Sequence, residues 1–212
     1  ATVTLNNPPI NLGTIALYEE LYDLTKELSA DDTLTVVVLK SANPEFFMAH
    51  VDVEYILTFP IDGEPQRASE LTEWHAACLR FRTMNKVTIA QIEGRAGGGG
   101  SELASCCDMR FGVIGQSVLC QMEVPLGIIP GSCGTQTLPL IMGRNRAMEM
   151  IMSGDDIDAV TAERWGYFNR IFEAGDIDTY VEKLSRRIAS FPADAVRLAK
   201  QSVNSAEVLN QD

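Results

Sequence analysis

The sequence predicts an α/β protein built around a layered, mainly parallel β-sheet. Strand-like segments alternate with helical segments through the first half of the chain, and helical patterns dominate the second half. Residues 34–39 are apolar on both faces, which is typical of a strand covered on both sides, and Val87–Ile92 is a second predicted buried strand. With 212 residues, the chain can bury a large core in one domain without disulfides.

The first half of the chain begins with a strand and a long helix. Ile15–Ala30 is predicted as an amphipathic helix because leucines recur along it at helical spacing. A second predicted helix carries one apolar face, and a third, short helix follows a run of glycines. The predicted strands lie at residues 1–6, 34–39, 87–92, 109–113 and 118–122, and the predicted helices at 15–30, 71–85 and 101–107. Turns, loops or linkers are predicted at residues 7–9, 41–45, 62–64 and 94–100.

The second half of the chain is predicted to be mainly helical, and no internal repeat or clear domain boundary is evident. Three methionines at 148, 150 and 152 are expected in the core or in a subunit interface. The predicted helices lie at Gly134–Met142 and at residues 144–152, 161–165, 177–190 and 193–205.

Charge and cysteine content narrow the classes of function. Seventeen basic against twenty-nine acidic residues give a net charge of −12, which argues against general binding to nucleic acids or anionic membranes. No apolar run reaches the roughly 20 residues of a membrane span, and no secretory signal is evident. Because the cysteines contain no Cys-x-x-Cys pair, no zinc site is predicted, and reduced core thiols in a reducing compartment are expected. The five cysteines are Cys78, Cys106, Cys107, Cys120 and Cys133.

The glycine run at residues 97–100 follows a predicted strand and opens a predicted helix. It lacks the lysine of a phosphate-binding loop, and Glu102 stands where a dinucleotide fingerprint needs its third glycine. Residues 131–134 are one position short of a nucleophile elbow. Two interpretations remain: a tight turn with close helix–sheet packing, or a helix N-terminus whose backbone amides hold an oxyanion.

Five segments of the chain, in order, resemble the crotonase or enoyl-CoA hydratase/isomerase superfamily. The two most specific are Gly94-Arg95-Ala96-Gly97-Gly98-Gly99-Gly100-Ser101-Glu102 and Glu123-Val124-Pro125-Leu126-Gly127-Ile128-Ile129-Pro130. Weaker matches are residues 7–21, residues 152–169 and Phe47-Met48-Ala49-His50-Val51-Asp52-Val53. Together the segments cover nearly the whole chain.

The resemblance implies a crotonase-like spiral of β-β-α units over residues 1–190, followed at 191–212 by the start of a C-terminal helical region, which in the family usually continues into further helices. It implies an acyl-CoA thioester substrate, an oxyanion hole formed by the N–H groups of Val51 and Gly99, and catalytic carboxyl groups on Glu102 and Glu123. It further implies no metal, no cofactor apart from the CoA of the substrate, and a homotrimer or dimer of trimers. The substrate-binding positions that it implies are Ala49, His50, Val51, Asp52 and Gly99.

These residue types suit the addition of water to a conjugated thioester. Two backbone amides can stabilise the negative charge that develops on the carbonyl oxygen, and two carboxyl groups can move the protons. Glu102 lies in the first turn of a helix, where the dipole favours a carboxylate, whereas Glu123 lies between apolar neighbours that are expected to raise its pKa. The sequence therefore predicts an enoyl-CoA hydratase-like lyase.

Two alternatives stay open at this point. One is a sister reaction on the same scaffold, namely double-bond isomerisation, thioester hydrolysis or decarboxylation. The other is a non-catalytic acyl-CoA-binding homologue, favoured by the short C-terminus and by His50, which stands where the family usually has glycine. His50 either adjusts the adenine end of the pocket or packs in a turn, and His75 is expected to be structural. The expected location is the cytoplasm or another reducing compartment such as the mitochondrial matrix, without membrane insertion.

Overall fold

The computed structural model describes residues 1–59, 62 and 70–208, so most of the linker predicted at 62–64 lies outside the described residues. Within the described part of the chain, nine strands form two sheets. The strands are β1 (Thr2–Leu5), β2 (Val36–Ser41), β3 (Phe46–Met48), β4 (Val87–Ile92), β5 (Arg95–Gly97), β6 (Met109–Val113), β7 (Val118–Cys120), β8 (Ile157–Asp158) and β9 (Arg170–Phe172).

The two sheets are connected by successive pairs of strands. The larger sheet has the order β1-β2-β4-β6-β9, with all neighbours parallel. The smaller sheet has the order β3-β5-β7-β8, in which the first three strands are parallel and β8 is antiparallel to β7. The pairs β2/β3, β4/β5 and β6/β7 each turn a corner from the larger sheet into the smaller one. Because each pair lies beside the previous pair, the chain advances as a spiral.

Polar side chains satisfy backbone groups at these corners. Asn11 Nδ2 donates to Ser41 Oγ at 2.7 Å and lies 3.3 Å or less from three buried or half-buried backbone carbonyls. Ser117 Oγ accepts from Val113 N at 2.7 Å and donates to the Ile92 carbonyl at 2.6 Å. Since a buried backbone group without a partner is costly, these side chains make the sharp corners possible.

Helices cover both sheets and fill the second half of the chain. Side chains of Thr14, Thr72 and Asp158 accept backbone N–H groups and so cap the first, third and seventh helices. The described helices are α1 (Ile15–Ala30), α2 (Val53–Ile56), α3 (Glu73–Thr83), α4 (Gly99–Ser105), α5 (Gly134–Met142), α6 (Arg144–Ser153), α7 (Ala159–Trp165), α8 (Asp176–Ala189) and α9 (Ala193–Val208). A 3₁₀ turn spans Val124–Leu126.

The two faces of the larger sheet are buried in two separate clusters. Val37 and Leu39 of β2 belong to the main core between the sheets, whereas Val36 and Val38 belong to a second cluster on the opposite face. The second cluster includes Ile177 of α8. The sequence prediction that β2 is covered on both sides is therefore confirmed.

Several predicted bounds differ from the structure. The helix predicted at 101–107 spans Gly99–Ser105, and the turn predicted at 94–100 contains the strand β5. The sequence pattern does not predict β3, β5, β8, β9 or α2. Each has only two to four residues, which is too short for a hydrophobic period to develop.

A buried lysine ties the last helix, α9, to the rest of the fold. Lys200 Nζ pairs with Asp108 Oδ2 at 2.8 Å and donates to the carbonyls of Lys86 and Phe81 at 2.8 and 3.3 Å. The division of the chain at residue 190 stays a prediction. No described helix combines the length and the apolar character that a membrane crossing requires.

Candidate active site

Three neighbouring parallel strands bring the candidate segments together at one edge of the smaller sheet. The strands β3, β5 and β7 lie side by side and run in the same direction. Their carboxyl ends therefore meet at one edge. Residues 49–52 follow β3, Gly98 and Gly99 follow β5, and residues 121–123 follow β7. Ligands of open parallel sheets bind at the carboxyl ends of strands, so this edge is the natural place for a site.

The junction between β5 and α4 requires glycine. Gly98 is the N-cap of α4 and has φ +47° and ψ −120°, a conformation that side chains rarely adopt. A β-carbon on Gly98 would lie 2.8 Å from Glu123 Oε1, and one on Gly99 would lie 2.7 Å from Val51 Cγ2. The glycines therefore let the backbone at the start of α4 approach both Val51 and Glu123 closely.

The backbone N–H groups of Val51 and Gly99 have no hydrogen-bond acceptor within residues 1–59, 62 and 70–208. Val51 forms a parallel bridge with Gly13, in which Gly13 N donates to the His50 carbonyl at 2.8 Å and Asp52 N donates to the Gly13 carbonyl at 2.9 Å. Because the bridge uses the peptide groups on either side, the N–H of Val51 itself points away from Gly13. Gly99 is the first residue of α4, so its N–H has no acceptor within the helix.

The carboxyl group of Glu102 is buried and held by the start of α5. Its Oε1 accepts the backbone N–H groups of Ser132, Cys133 and Gly134 at 2.9, 3.0 and 2.7 Å. The side chain is 1% exposed, and this burial raises the pKa of Glu102, while the N–H donors oppose the rise by stabilising the carboxylate. One oxygen is thus fixed, and the geometry of the carboxyl group is set by the backbone of another helix.

Glu123 follows β7 and is buried beside a second acidic group. Burial, with a further contribution from the negative charge of Glu102, raises the pKa of Glu123 to about 7. The Gln121 amide, oriented to satisfy both of its ends, lies 3.0 Å from Glu123 Oε2 through its nitrogen and 3.2 Å from Ser101 Oγ through its oxygen. A carboxyl group with this pKa can donate a proton near neutral pH.

One cavity of about 490 Å³ joins these groups. His50, Val51, Gly99, Glu102 and Glu123 all line it, so the structure brings together both predicted carboxyl groups and both predicted amides. Most of the remaining wall is apolar and comes from α1, α2, α3 and the segment after β7. The arrangement can therefore take an apolar chain with one polar, reactive end.

Comparison with known proteins identifies the family. The sequence profile described as "Enoyl-CoA hydratase/isomerase" matches residues 1–211. The chain belongs to the enoyl-CoA hydratase/isomerase family. It is therefore an enzyme of this family, as the sequence resemblance predicted.

Relatives in the family include named hydratases. The chain is similar to the "Crotonyl-CoA hydratase" of Syntrophomonas wolfei, with 32% identity over 189 residues that cover 87% of this chain and 70% of the relative. It is also similar to the "Short-chain-enoyl-CoA hydratase" of Clostridium acetobutylicum, with 30% identity over 206 residues that cover 96% and 77%. The crystal structure of enoyl-CoA hydratase from Bacillus anthracis superposes with a TM-score of 0.86 at 29% identity, covering 96% of this chain and 78% of that one. The predicted crotonase fold is therefore confirmed.

Two of the substrate-binding positions implied by the resemblance lie outside the described wall of the cavity. Ala49 is buried, and a β-carbon on Gly97 would collide with its carbonyl oxygen. Asp52 caps α2, where its side chain accepts the N–H of Glu54 at 3.0 Å. The resemblance implies that these residues contact CoA mainly through the backbone, and this stays a prediction.

Sequence analysis missed the segment that holds Glu102. His75 supports this segment, since its Nε2 lies 2.6 Å from the Gly131 carbonyl and its Nδ1 lies 2.6 Å from Thr72 Oγ1. The expectation that His75 is structural agrees with these contacts. The available signal was the run of small residues at 131–134 directly before α5, whose first amides lack helical acceptors.

Proposed function

We propose that this family member adds water across the double bond of an α,β-unsaturated acyl-CoA thioester. The observation that carries the proposal is the meeting, in one cavity, of two buried carboxyl groups with two backbone segments whose N–H groups lack acceptors in the described chain. The names of the relatives from S. wolfei and C. acetobutylicum support the same activity.

In this proposal the N–H groups of Val51 and Gly99 donate to the thioester oxygen. As water attacks Cβ, the conjugated system carries negative charge onto that oxygen, and an enolate-like transition state forms. Fixed backbone donors stabilise this charge without reorganising, and one such donor is worth about 3 kcal/mol in related active sites. A β-carbon on Gly99 would lie 2.7 Å from Val51 Cγ2, so the two residues lie side by side, which supports their use as a pair.

The two carboxyl groups divide the proton transfers. Glu123, protonated near pH 7 because of its raised pKa, delivers its proton to Cα. Glu102, whose carboxylate form is stabilised by three N–H donors, holds the water and accepts its proton while the hydroxyl group bonds to Cβ. Return of one proton from Glu102 to Glu123 restores the starting state, so the sum is one water per double bond.

The substrate brings its own CoA, so the proposal needs no separate cofactor for this reaction. The apolar wall of the cavity, including Trp74, Ile56 and Ile128, suits the acyl chain. The chain length is not assigned. A homotrimer or dimer of trimers in a reducing compartment remains part of the proposal, and exposed apolar side chains such as Met148 and Met152 of α6 are available for subunit contacts.

The test is turnover of crotonyl-CoA, followed by loss of the absorbance of the conjugated thioester. Glu102→Gln and Glu123→Gln should each lower the rate by about 10²–10⁴-fold, because each keeps its shape and loses proton transfer. Glu149→Gln is the matched control, since Glu149 is exposed on α6. Acyl-CoA binding should survive in all three variants.

Two results would overturn the proposal. The first is a rate in both active-site variants equal to that of the parent protein, which would show that the two glutamates do not transfer the protons. The second is a parent protein that binds acyl-CoA without hydrating it, which would favour a sister reaction or a binding function on the same scaffold.

A further inference from the structure

Three cysteines, one from the middle of α3 and two from helix ends, meet next to the segment that holds Glu102. Cys78 lies on α3, Cys106 ends α4 and Cys133 precedes α5. Their sulfur atoms all lie within 4.8 Å of one another, and the Cys106 and Cys133 sulfurs are 3.0 Å apart. Among the described residues, this is the one group of three or more side chains placed to share a metal ion.

The spacing of the sulfurs suits a single ion. With metal–sulfur bonds of about 2.3 Å, two thiolates on a tetrahedral zinc ion lie about 3.8 Å apart. The observed separations, from 3.0 Å to at most 4.8 Å, lie on both sides of this value. Side-chain rotations that move each sulfur by about 1 Å are therefore enough to place all three sulfurs around one ion.

The backbone of Cys133 carries a second, independent signal. Cys133 has φ +151° and ψ −2°, a backbone conformation that favours glycine. A side chain held in such a conformation costs on the order of 1–3 kcal/mol, and residues of this kind concentrate at functional sites. A glycine at 133 would avoid this strain, so the backbone of Cys133 is one of the strained positions that concentrate at functional sites.

A cavity gives access to the cluster. All three cysteines line a space of about 350 Å³, which is bordered by α3 and by the start of α5. Cys133 is half-buried, whereas Cys78 and Cys106 are 1% and 2% exposed. An ion can therefore enter from the cavity, and the cavity side of the cluster leaves a position for a further ligand such as water.

We propose that Cys78, Cys106 and Cys133 bind one thiophilic metal ion, with three thiolate ligands and a fourth position open to the cavity. Soft sulfur ligands select ions such as Zn²⁺ and Cu⁺, and three protein ligands with an open position form a known zinc arrangement. Thiolates are the form of cysteine that binds metal ions, so the thiol protons pass to solvent as the ion binds.

The experiment uses the full chain, reduced and freed of metal. Zn²⁺ and Cu⁺ are titrated separately against a coloured chelator, and Co²⁺ serves as a spectroscopic substitute for zinc. The expected result is one ion per chain for at least one of the two metals, and a sulfur-to-cobalt charge-transfer band that Zn²⁺ removes. Zinc binding would indicate four-coordination, and binding of Cu⁺ alone would indicate a three-coordinate site; either supports the proposal.

Cysteine variants separate this cluster from the other thiols. Cys78→Ser, Cys106→Ser and Cys133→Ser should each weaken binding by more than about tenfold, since even loss of an outer-shell partner commonly costs that much. Cys107→Ser and Cys120→Ser are matched controls, because both are buried cysteines outside the cluster and should leave binding unchanged.

Cys133→Gly separates loss of the ligand from loss of the fold. Glycine adopts the backbone conformation at position 133 without strain, which offsets the loss of the half-buried side chain, so the variant should stay folded by denaturant unfolding and yet lose metal binding. Three results would overturn the proposal: no binding and no charge-transfer band in the parent, binding retained by Cys133→Gly, or equal loss of binding in the two control variants. None of these measurements depends on the proposed hydratase activity.

Discussion

Replacing Glu123 with glutamine should stabilise the folded protein at neutral and alkaline pH while removing its proposed activity. Glu123 is 8% exposed and lies near Glu102, and these surroundings disfavour its charged form. Glutamine has nearly the same shape but carries no charge. The substitution therefore removes the cost of burying a carboxylate without opening a cavity.

The magnitude follows from the pKa of this one group. The pKa rises from 4.5 to about 7 on folding, and each pH unit of difference corresponds to about 1.4 kcal/mol. Between these two pH values the folded state holds a proton that the unfolded state has lost, so stability falls as pH rises. The parent should therefore lose about 3 kcal/mol relative to Glu123→Gln between pH 4.5 and pH 7, with little further change above pH 8.

The assay is urea unfolding of the parent and the variant at pH 5 and pH 8, at one fixed protein concentration because subunit association shifts the midpoint. Glu149→Gln should follow the pH dependence of the parent, since it alters an exposed carboxyl group. In Glu102→Gln the effect of Glu123 should shrink but persist, because burial contributes more than the charge of Glu102. Identical pH dependence in the parent and in Glu123→Gln would refute the burial of a costly carboxylate, and with it the physical basis for Glu123 as the acid.

Three further predictions test other parts of the structure. The kcat/KM of the parent for crotonyl-CoA should fall about tenfold per pH unit above pH 7, since Glu123 must be protonated; a rate that rises over this range would contradict its role as the acid. Gly99→Ala should lower kcat by about 10²–10³-fold, because its β-carbon would lie 2.7 Å from Val51 Cγ2 and displace both proposed oxyanion donors. Steady-state kinetics that show a change only in KM would count against the oxyanion hole. Lys200→Met should destabilise the fold by about 3 kcal/mol, because Asp108 would lose its partner at 2.8 Å. A denaturant midpoint equal to that of the parent would show that α9 is not held by this ion pair.

The sequence was sufficient for the larger elements and for the family. The leucines of α1 and the two-sided apolar pattern of β2 report directly which faces are buried, because burial imposes a period of 3.6 or 2 on the side chains. The strands β3 and β5 could not be predicted in this way, since three residues are too few to show a hydrophobic period. They nevertheless belong to the smaller sheet that carries the site, and their location depends on pairing with distant strands.

In the candidate site, too, the sequence predicted the residues but not how they come together. Glu102, Glu123, Val51 and Gly99 could be named from motifs, because each motif is a short run of residues. Their closeness, the three amides on Glu102 and the raised pKa of Glu123 depend on the parallel alignment of β3, β5 and β7. The apolar neighbours of Glu123 in the sequence indicated a raised pKa, but its size also depends on how deeply Glu123 is buried and on the charge of Glu102, which only the fold brings near.

The sequence did not predict the cluster of Cys78, Cys106 and Cys133. A spacing rule for metal sites looks for ligands within a few residues, but Cys106 and Cys133 are 27 residues apart. The sequence determined which elements form and which residues carry chemistry, because these depend on local periodicity and residue type. Only the tertiary structure decided which sulfurs, carboxyl groups and amides meet, because packing of distant helices and strands against one another sets the distances between them.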